Sequence, residues 1–552
     1  MKPTSPLPRL LRRCIFILLY LLPAVPFCSY HPVIRLGSNA SMNFELSLPL
    51  IWLIIFDLAS AIGLFYLGSK NPYRRSNTRA TQPPTSLRLS MSSDQNRLQT
   101  KQFPGISDRK FFLFALFPLF ATISIFWSPN PIRGILTAGI IWLIFFAVFA
   151  IIYLIPLFSP PQDFRRNILI SLLLSTALVC LFCWIQCFLD LCGLSRDATL
   201  LCLGCTYRSF GFPHPSGLAI EPQFMGNLLL APTLTALYLL VFRRPKSRRT
   251  RFALLSLACF FSATLFLTFS RGAIYAYIIA LIIMLSFALF RSSPRRSLSL
   301  ILIPLITFLF TLVAQGTFAA LSPTPDTFIS GITKSLHQLS LGLVDLRPAT
   351  STPNDSTPPP SETSSAPTSA SSAVTPPDSQ TQATPPASTF DGYVAESTNI
   401  RLDLNATAID TWLSSPRNIA IGVGLGGAGT VMHALYPDRV TSPKEIVQNQ
   451  AFSLLVELGL IGIFLALFGL IIAFFAPFLP RWLIGSREDR SRSFWSHPAL
   501  SLLVCVICAY LITLNFFSGL PNALHIYLLP PLLYLIFSDH IASAKHKTPK
   551  TR

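Results

Sequence analysis

Apolar runs about one membrane width long alternate along this chain with short polar connections, most of them basic. A bilayer core of roughly 30 Å needs about 20 apolar residues in helical rise. On that measure the pattern predicts about twelve spans: Cys14–Tyr30, Leu46–Gly68, Phe111–Trp127, Gly134–Phe158, Ile168–Leu191, Phe224–Phe242, Phe252–Phe269, Ala273–Phe290, Leu298–Gln315, Ala451–Phe478, Ala499–Phe517 and Ala523–Phe537. Backbone polar groups in lipid have no water to bond, so the spans must be helices. The expected fold is an all-α polytopic membrane protein with one long external loop between late spans. Its expected parts are N-terminal anchor spans and a basic loop (1–110), a membrane core (111–315), a large external loop (316–450), C-terminal spans (451–538) and a basic tail (539–552).

Composition narrows the picture. Only 12% of the residues are charged, half the share in a soluble protein, and the mean hydropathy is +0.54. Both exclude an ordinary cytosolic enzyme, and the 51% apolar content excludes a wholly disordered chain. The net charge of +20 invites a nucleic-acid reading, but the positions of the charges oppose it. With the N-terminus inside, every cytoplasmic connection is basic or neutral, and these connections hold most of the 43 Lys and Arg. The charge is thus a topology signal: both termini are expected in the cytoplasm, and no nucleic-acid partner is expected. Arg12 and Arg13 before a short apolar run have the form of a signal peptide. No small-x-small cleavage site follows, so the segment reads as a retained anchor.

Within the external loop, 348–389 is almost only Pro, Ser, Thr and Ala, a composition that cannot bury a core. Most of the 11 Cys lie in apolar spans and read as small hydrophobes. Cys192, Cys202 and Cys205 fall outside the spans and leave room for one loop disulfide. Cys202-x-x-Cys205 has no second pair and no nearby His at ligand spacing, so no metal site is expected.

Four polar groupings interrupt the apolar pattern. Thr268-Phe-Ser270-Arg271-Gly272 is a tight outward turn, and Arg at a membrane boundary is costly unless used. Arg401-Leu-Asp403-Leu404 opens an amphipathic segment with Leu404, Ala408 and Trp412 at helical spacing. It leads to Gly422-Val-Gly424-Leu-Gly426-Gly427. That run formally contains a dinucleotide fingerprint but lacks a strand–helix–strand unit. As a turn, it would aim N–H groups of Gly424 and Gly426 at an anion; as a flexible connection, it would bind nothing. Ser442-Pro443-Lys444-Glu445 reads as a capped helix start, which sets Gln448 and Asn449 about two turns inside the helix. Finally, Arg208-Ser-Phe-Gly211 precedes Glu221-Pro222 at the mouth of a span. There Glu221 is a candidate base or hydroxyl acceptor, or else a helix-start acid favoured by the dipole.

These pieces, in this order, resemble the bacterial O-antigen ligase and O-antigen polymerase superfamily. Ser124-Ile-Phe-Trp127-Ser128-Pro129 is similar to the family's segment at the end of an early span, and Ser270-Arg271-Gly272 resembles its Ser-Arg-Gly turn. Arg401 with Gly422-Val-Gly424-Leu-Gly426, and Asn449 through Glu457-x-Gly459-x-x-Gly462, are similar to its later blocks. The resemblance covers roughly Phe252–Phe475, and Glu221-Pro222 is reminiscent of its exopolysaccharide-polymerase branch.

The resemblance implies a glycosyltransferase that needs no metal or cofactor, in the inner membrane of a bacterium with its active face outside. The donor would be a glycan on polyprenyl pyrophosphate, the acceptor a glycan or lipid, and other polysaccharide-assembly proteins would be partners. Arg271 and Arg401 would hold the pyrophosphate, with Arg208, Gln448, Asn449 and Glu221 around it. Ligases usually carry His before the Asn matching Asn449; this chain has Gln448, which cannot take a proton. His433, His214 and Glu221 are the candidate replacements. The rival readings are a lipid-linked sugar transporter and a non-catalytic assembly factor. A transporter would bury ionisable groups at mid-span, where only Asp57 clearly stands.

Overall fold

The structure, a computed structural model, describes residues 6–28, 33–36, 44–69, 108–158, 163–192, 206–207, 213–219, 221–243, 245, 247–291, 297–321, 327–340, 390–443, 447, 449–475, 498–516 and 523–537. Arg208, Gln448, Cys202, Cys205 and the 348–389 insert lie outside the described residues.

Every predicted span has a helix. In order they are α1 (Pro6–Leu21), α2 (Leu48–Ser69), α3 (Asp108–Ile123), α4 (Pro131–Phe149), α5 (Phe164–Leu191), α6 (Pro222–Phe242), α7 (Arg248–Leu267), α8 (Arg271–Arg291) and α9 (Ser299–Ala320). After them come four helices within the expected external loop: α10 (Phe328–Leu339), α11 (Phe390–Leu413), α12 (Pro416–Ile421) and α13 (Ala428–Leu435). The last spans are α14 (Gln450–Phe475), α15 (Pro498–Thr513) and α16 (Leu524–Phe537). Among the described residues, eight helices are long and apolar enough to cross a membrane, and three shorter apolar helices accompany them. Two short antiparallel ladders complete the fold: β1 (Val33–Leu36) with β2 (Phe44–Ser47), and β3 (Thr206–Tyr207) with β4 (His214–Pro215).

The lipid-facing surface is explicit. On α5, Ile170, Leu174, Leu178, Leu181, Ile185 and Phe188 are all exposed and recur at helical spacing. On α9, Ile301, Leu305, Ile306, Leu309 and Val313 do the same. Contiguous apolar stripes of this size belong against hydrocarbon, so the chain is a multi-pass membrane protein. At the centre stands α6, apolar all round and the most enclosed of the long helices, packed on α7, α8 and α15. A second apolar cluster lies outside this core. It joins Leu404 and Ala408 of α11 to Val423, Ala428, Met432, Val447 and Val456.

The expected helix start at Ser442 is corrected by the structure. Ser442 and Pro443 are not helical, and α14 begins at Gln450. Asn449 supplies the cap: its Oδ1 accepts from the N–H groups of Ala451 at 3.0 Å and Phe452 at 3.2 Å. An Asn side chain satisfies first-turn donors at least as well as Ser, and the apolar run it precedes has the helix's core-facing residues.

Candidate active site at one end of the bundle

The α7–α8 turn is built by its hydroxyls. Thr268 closes α7, and its Oγ1 accepts from the Ser270 N–H at 3.3 Å. Phe269 takes φ 49, the one positive φ outside glycine among the described residues, in a region non-glycine residues seldom occupy. Ser270 then caps α8, its carbonyl accepting from Ile274 at 2.9 Å and its Oγ from Ala273 at 3.4 Å. Arg271 is therefore the first residue of α8. The helix dipole disfavours a cation there, so stability does not explain it. Its side chain is half-buried and lies within electrostatic reach of Tyr275. The Tyr275 hydroxyl donates to the Leu339 carbonyl at the end of α10.

The neighbours of three predicted groups contact the residues that follow α15. A Cβ on Gly272, beside Arg271, would stand 2.9 Å from the Phe516 ring, so that ring lies directly on the turn. Gln223 Nε2 donates to the Phe516 carbonyl at 2.8 Å, which brings the neighbouring Glu221 to the same place. The Gln450 N–H donates to the Leu514 carbonyl at 2.8 Å, which brings Asn449. Glu221 itself is exposed, in extended backbone, and its side chain caps nothing. Arg401 belongs to a different set of contacts. It is half-buried on α11, one turn before Leu404 on the face that packs against Val447, Val456 and Phe452.

The glycine run is a clasp rather than a loose turn. Gly459 breaks α14 with φ 62 and ψ −167, which removes helical donors from the carbonyls before it. The N–H groups of Val423 and Gly424 replace them, donating to Val456 and Glu457 at 2.9 Å each. The Leu425 N–H donates to Ser124 Oγ at 3.2 Å. The Gly426 and Ala428 N–H groups and the Arg133 guanidinium face the Glu457 carboxylate. The amides expected to meet a substrate anion thus meet the protein's own carbonyls and carboxylate. Gly424 and Gly426 hold the frame of the site.

Of the histidines proposed as replacement bases, His214 lies nearest the turn, its ring 5.3 Å from that of Phe269. Burial pushes its imidazole from 6.5 down to about 3. His433 is turned away, with Nδ1 on the Val440 carbonyl of its own segment. Sequence reasoning gave no role to Gln223 or Arg133, and none to Ser124 beyond its place in the family-like segment. For Gln223 the signal was present: an amide just inside an apolar run, two residues after Glu221. No cluster of three potential metal ligands occurs among the described residues.

A cavity of about 310 Å³ opens beside this end. Gln450 and Leu514 stand at its head, and Phe117, Ala466, Leu467 and Tyr527 line its apolar length.

The polar end of the bundle carries the residues on which the sequence resemblance rests, and comparison with known proteins bears it out. A search of the curated proteins finds no match. Residues 254–467, which include Arg271, Arg401, the glycine clasp and Asn449, match the family model described as O-antigen ligase. Over those residues the chain is similar to the O-antigen ligase family.

Proposed function

We propose that the protein is a glycosyltransferase that polymerises or ligates oligosaccharides carried on polyprenyl pyrophosphate, at the outer face of the inner membrane. The observation that supports this reading is that Gly272, Gln450 and Gln223, the near neighbours of Arg271, Asn449 and Glu221, all contact Leu514–Phe516 beside an apolar cavity. The cavity suits an isoprenoid chain, whose diphosphate would then lie near Gln450 and the Arg271 turn. Arg271 and Arg401 grip that diphosphate, since guanidinium binds phosphate oxygens in pairs and keeps its charge. Glu221, at the exposed mouth, orients the acceptor hydroxyl. Gln448 and Arg208, outside the described residues, are expected near the donor on the sequence resemblance alone.

In the reaction the acceptor oxygen bonds to the anomeric carbon, and the bond from that carbon to the pyrophosphate breaks. The electron pair leaves with the diphosphate. Charge grows on the leaving oxygen, so donors already fixed beside it lower the barrier. A partly dry setting at the membrane edge strengthens both contacts.

The test is Arg271→Ala in cells, with the surface glycan read on a gel and the protein quantified in membranes. Loss of elongated or attached glycan at normal protein level is expected; an unchanged glycan profile sinks the assignment. Purified protein with a polyprenyl-pyrophosphate glycan then separates the two modes: a ladder of products means polymerase, a single addition means ligase.

A further inference from the structure

Arg271 sits where the dipole of α8 opposes a cation, and a second helix end stands against that cost. Tyr275 follows Arg271 by one turn on the same face of α8. Side chains on a helix lean toward its N-terminus, so the Tyr275 ring rises toward the level of Arg271, and the two lie within electrostatic reach. The ring of Phe516, which lies on Gly272, is 6.4 Å from that of Tyr275. The Tyr275 hydroxyl donates to the carbonyl of Leu339, the last residue of α10. The last carbonyls of a helix have no donor within it. Tyr275 therefore closes the end of α10 and ties it to the helix that carries Arg271. A helix bears about half a negative charge at that end.

The seat of α10 is equally defined. Thr327 caps its start, with Oγ1 accepting from the Ser330 N–H at 3.1 Å. Gly331, Ser335 and Gln338 are buried on one side of it, and the helix packs on α9. There the two helices approach closely. A Cβ on Gly331 would stand 2.7 Å from that of Ala319, and one on Gly316 would stand 2.8 Å from the Phe328 ring. Small residues permit such an approach. Phe328 and Ile329 are exposed, as suits a helix lying along the membrane boundary. The packing on α9 thus fixes where the carboxyl end of α10 points.

We infer that Tyr275 is a positioning residue for Arg271, and that the carboxyl end of α10 is the wall that holds the guanidinium toward the diphosphate. The inference rests on the transferase reading above, in which Arg271 grips that group. Two helix ends of opposite sign meet at this place. The amino end of α8 repels the guanidinium and attracts a diphosphate; the carboxyl end of α10 attracts the guanidinium. A carboxylate in the same position would take both arms of the guanidinium and compete with the substrate. A helix end, with about half that charge, orients the guanidinium and competes less.

The experiment titrates the full chain in lipid nanodiscs with a fluorescent polyprenyl pyrophosphate, and with the matching polyprenyl alcohol as the control for the tail. Tyr275→Phe removes the hydroxyl and keeps the ring. It should weaken pyrophosphate binding about 10-fold and leave alcohol binding and the thermal midpoint in place. Gly331→Ala, about 12 Å along α10 from Leu339, should also weaken pyrophosphate binding, by shifting that helix. In an Arg271→Ala background, which itself binds pyrophosphate weakly, neither change should cost more than about twofold, because positioning acts only through the group it positions. Wild-type affinity in Tyr275→Phe, an equal loss for the alcohol, or a loss that persists in full in the Arg271→Ala background overturns the inference. If Arg271→Ala binds pyrophosphate as the wild type does, the reading of Arg271 itself falls; if it loses binding beside an unimpaired Tyr275→Phe, only the positioning falls.

Discussion

The crossing of Gly422 and Gly459 offers the sharpest test of how the site is held. Gly459 has φ 62 and ψ −167, a region essentially closed to other residues. Forcing a side chain into it costs about 1–3 kcal/mol. An added Cβ would also stand 2.5 Å from the carbonyl carbon and oxygen of Ala420, so the two backbones must part. Parting them strains the bonds from Val423 to Val456 and from Gly424 to Glu457, each worth about 0.5–1.5 kcal/mol net. Gly459→Ala should therefore cost about 2–6 kcal/mol, a large part of the ~5–15 kcal/mol that holds a typical domain. Gly422 has φ 70, and a Cβ there would sit 2.3 Å from the Glu457 carbonyl carbon, so Gly422→Ala should behave alike. The double variant should fall well short of the sum, because one crossing opens once. Gly139 is the control: nothing lies within 4 Å of a Cβ built on it, and Gly139→Ala should leave the midpoint in place. Thermal unfolding in nanodiscs, followed by protection of α14 from protease, measures all four. Equal midpoints for Gly459→Ala and Gly139→Ala would refute the clasp.

The remaining predictions concern charge and shape. Arg271→Ala should lower transfer about 100- to 1,000-fold in kinetic assays, with Arg271→Lys between it and wild type because an ammonium does not pair two phosphate oxygens at once; equal rates for Lys and Ala would argue against paired contacts. Glu457→Leu leaves two amides and Arg133 without the acceptor they face and should lower the unfolding stability by about 1–3 kcal/mol; no shift in midpoint would show that the amides find other partners. Burial holds His214 at about 3, against 6.5 in the open chain. The unfolded chain binds a proton between these values that the folded one does not. This contribution is complete above pH 6.5 and declines as pH falls toward 3, so His214→Phe should flatten the acid limb of the stability profile; parallel profiles would refute it. Ala466 lines the cavity, and Ala466→Phe should raise KM for a long-chain polyprenyl donor while sparing a short-chain one; equal effects on both would remove the tail from this cavity.

Much of the fold was legible because lipid makes a simple demand. A span must be apolar for about 20 residues, and each of the twelve runs became a helix, all but the first within a few positions of its expected start; the first helix begins at Pro6 rather than Cys14. The error at Ser442 has a local cause. Ser-Pro followed by Glu is a good cap signal, but a cap is used only where an apolar face follows at once, and Asn449 stood closer to that face. The glycine run was harder. Its sequence is equally compatible with a flexible turn, an anion cradle and a clasp, because all three need the same backbone freedom. The difference lies in what faces the amides, and here that partner is a kink 35 residues later, at Gly459.

By itself, the sequence determined that the chain is a helical bundle in a bilayer, and which residues are too polar for their positions to be there by accident. Arg271, Arg401, Asn449 and Glu221 stood out because the cost of burying charge or amide near hydrocarbon is a property of each residue alone. What only the tertiary structure decided is which of them share a neighbourhood. Phe516 gathers the Arg271 turn and Gln223; Tyr510 and His525, unremarkable in two separate apolar runs, meet edge to face. Such meetings depend on the packing of helices, and an apolar pattern states that a face is buried without stating against what.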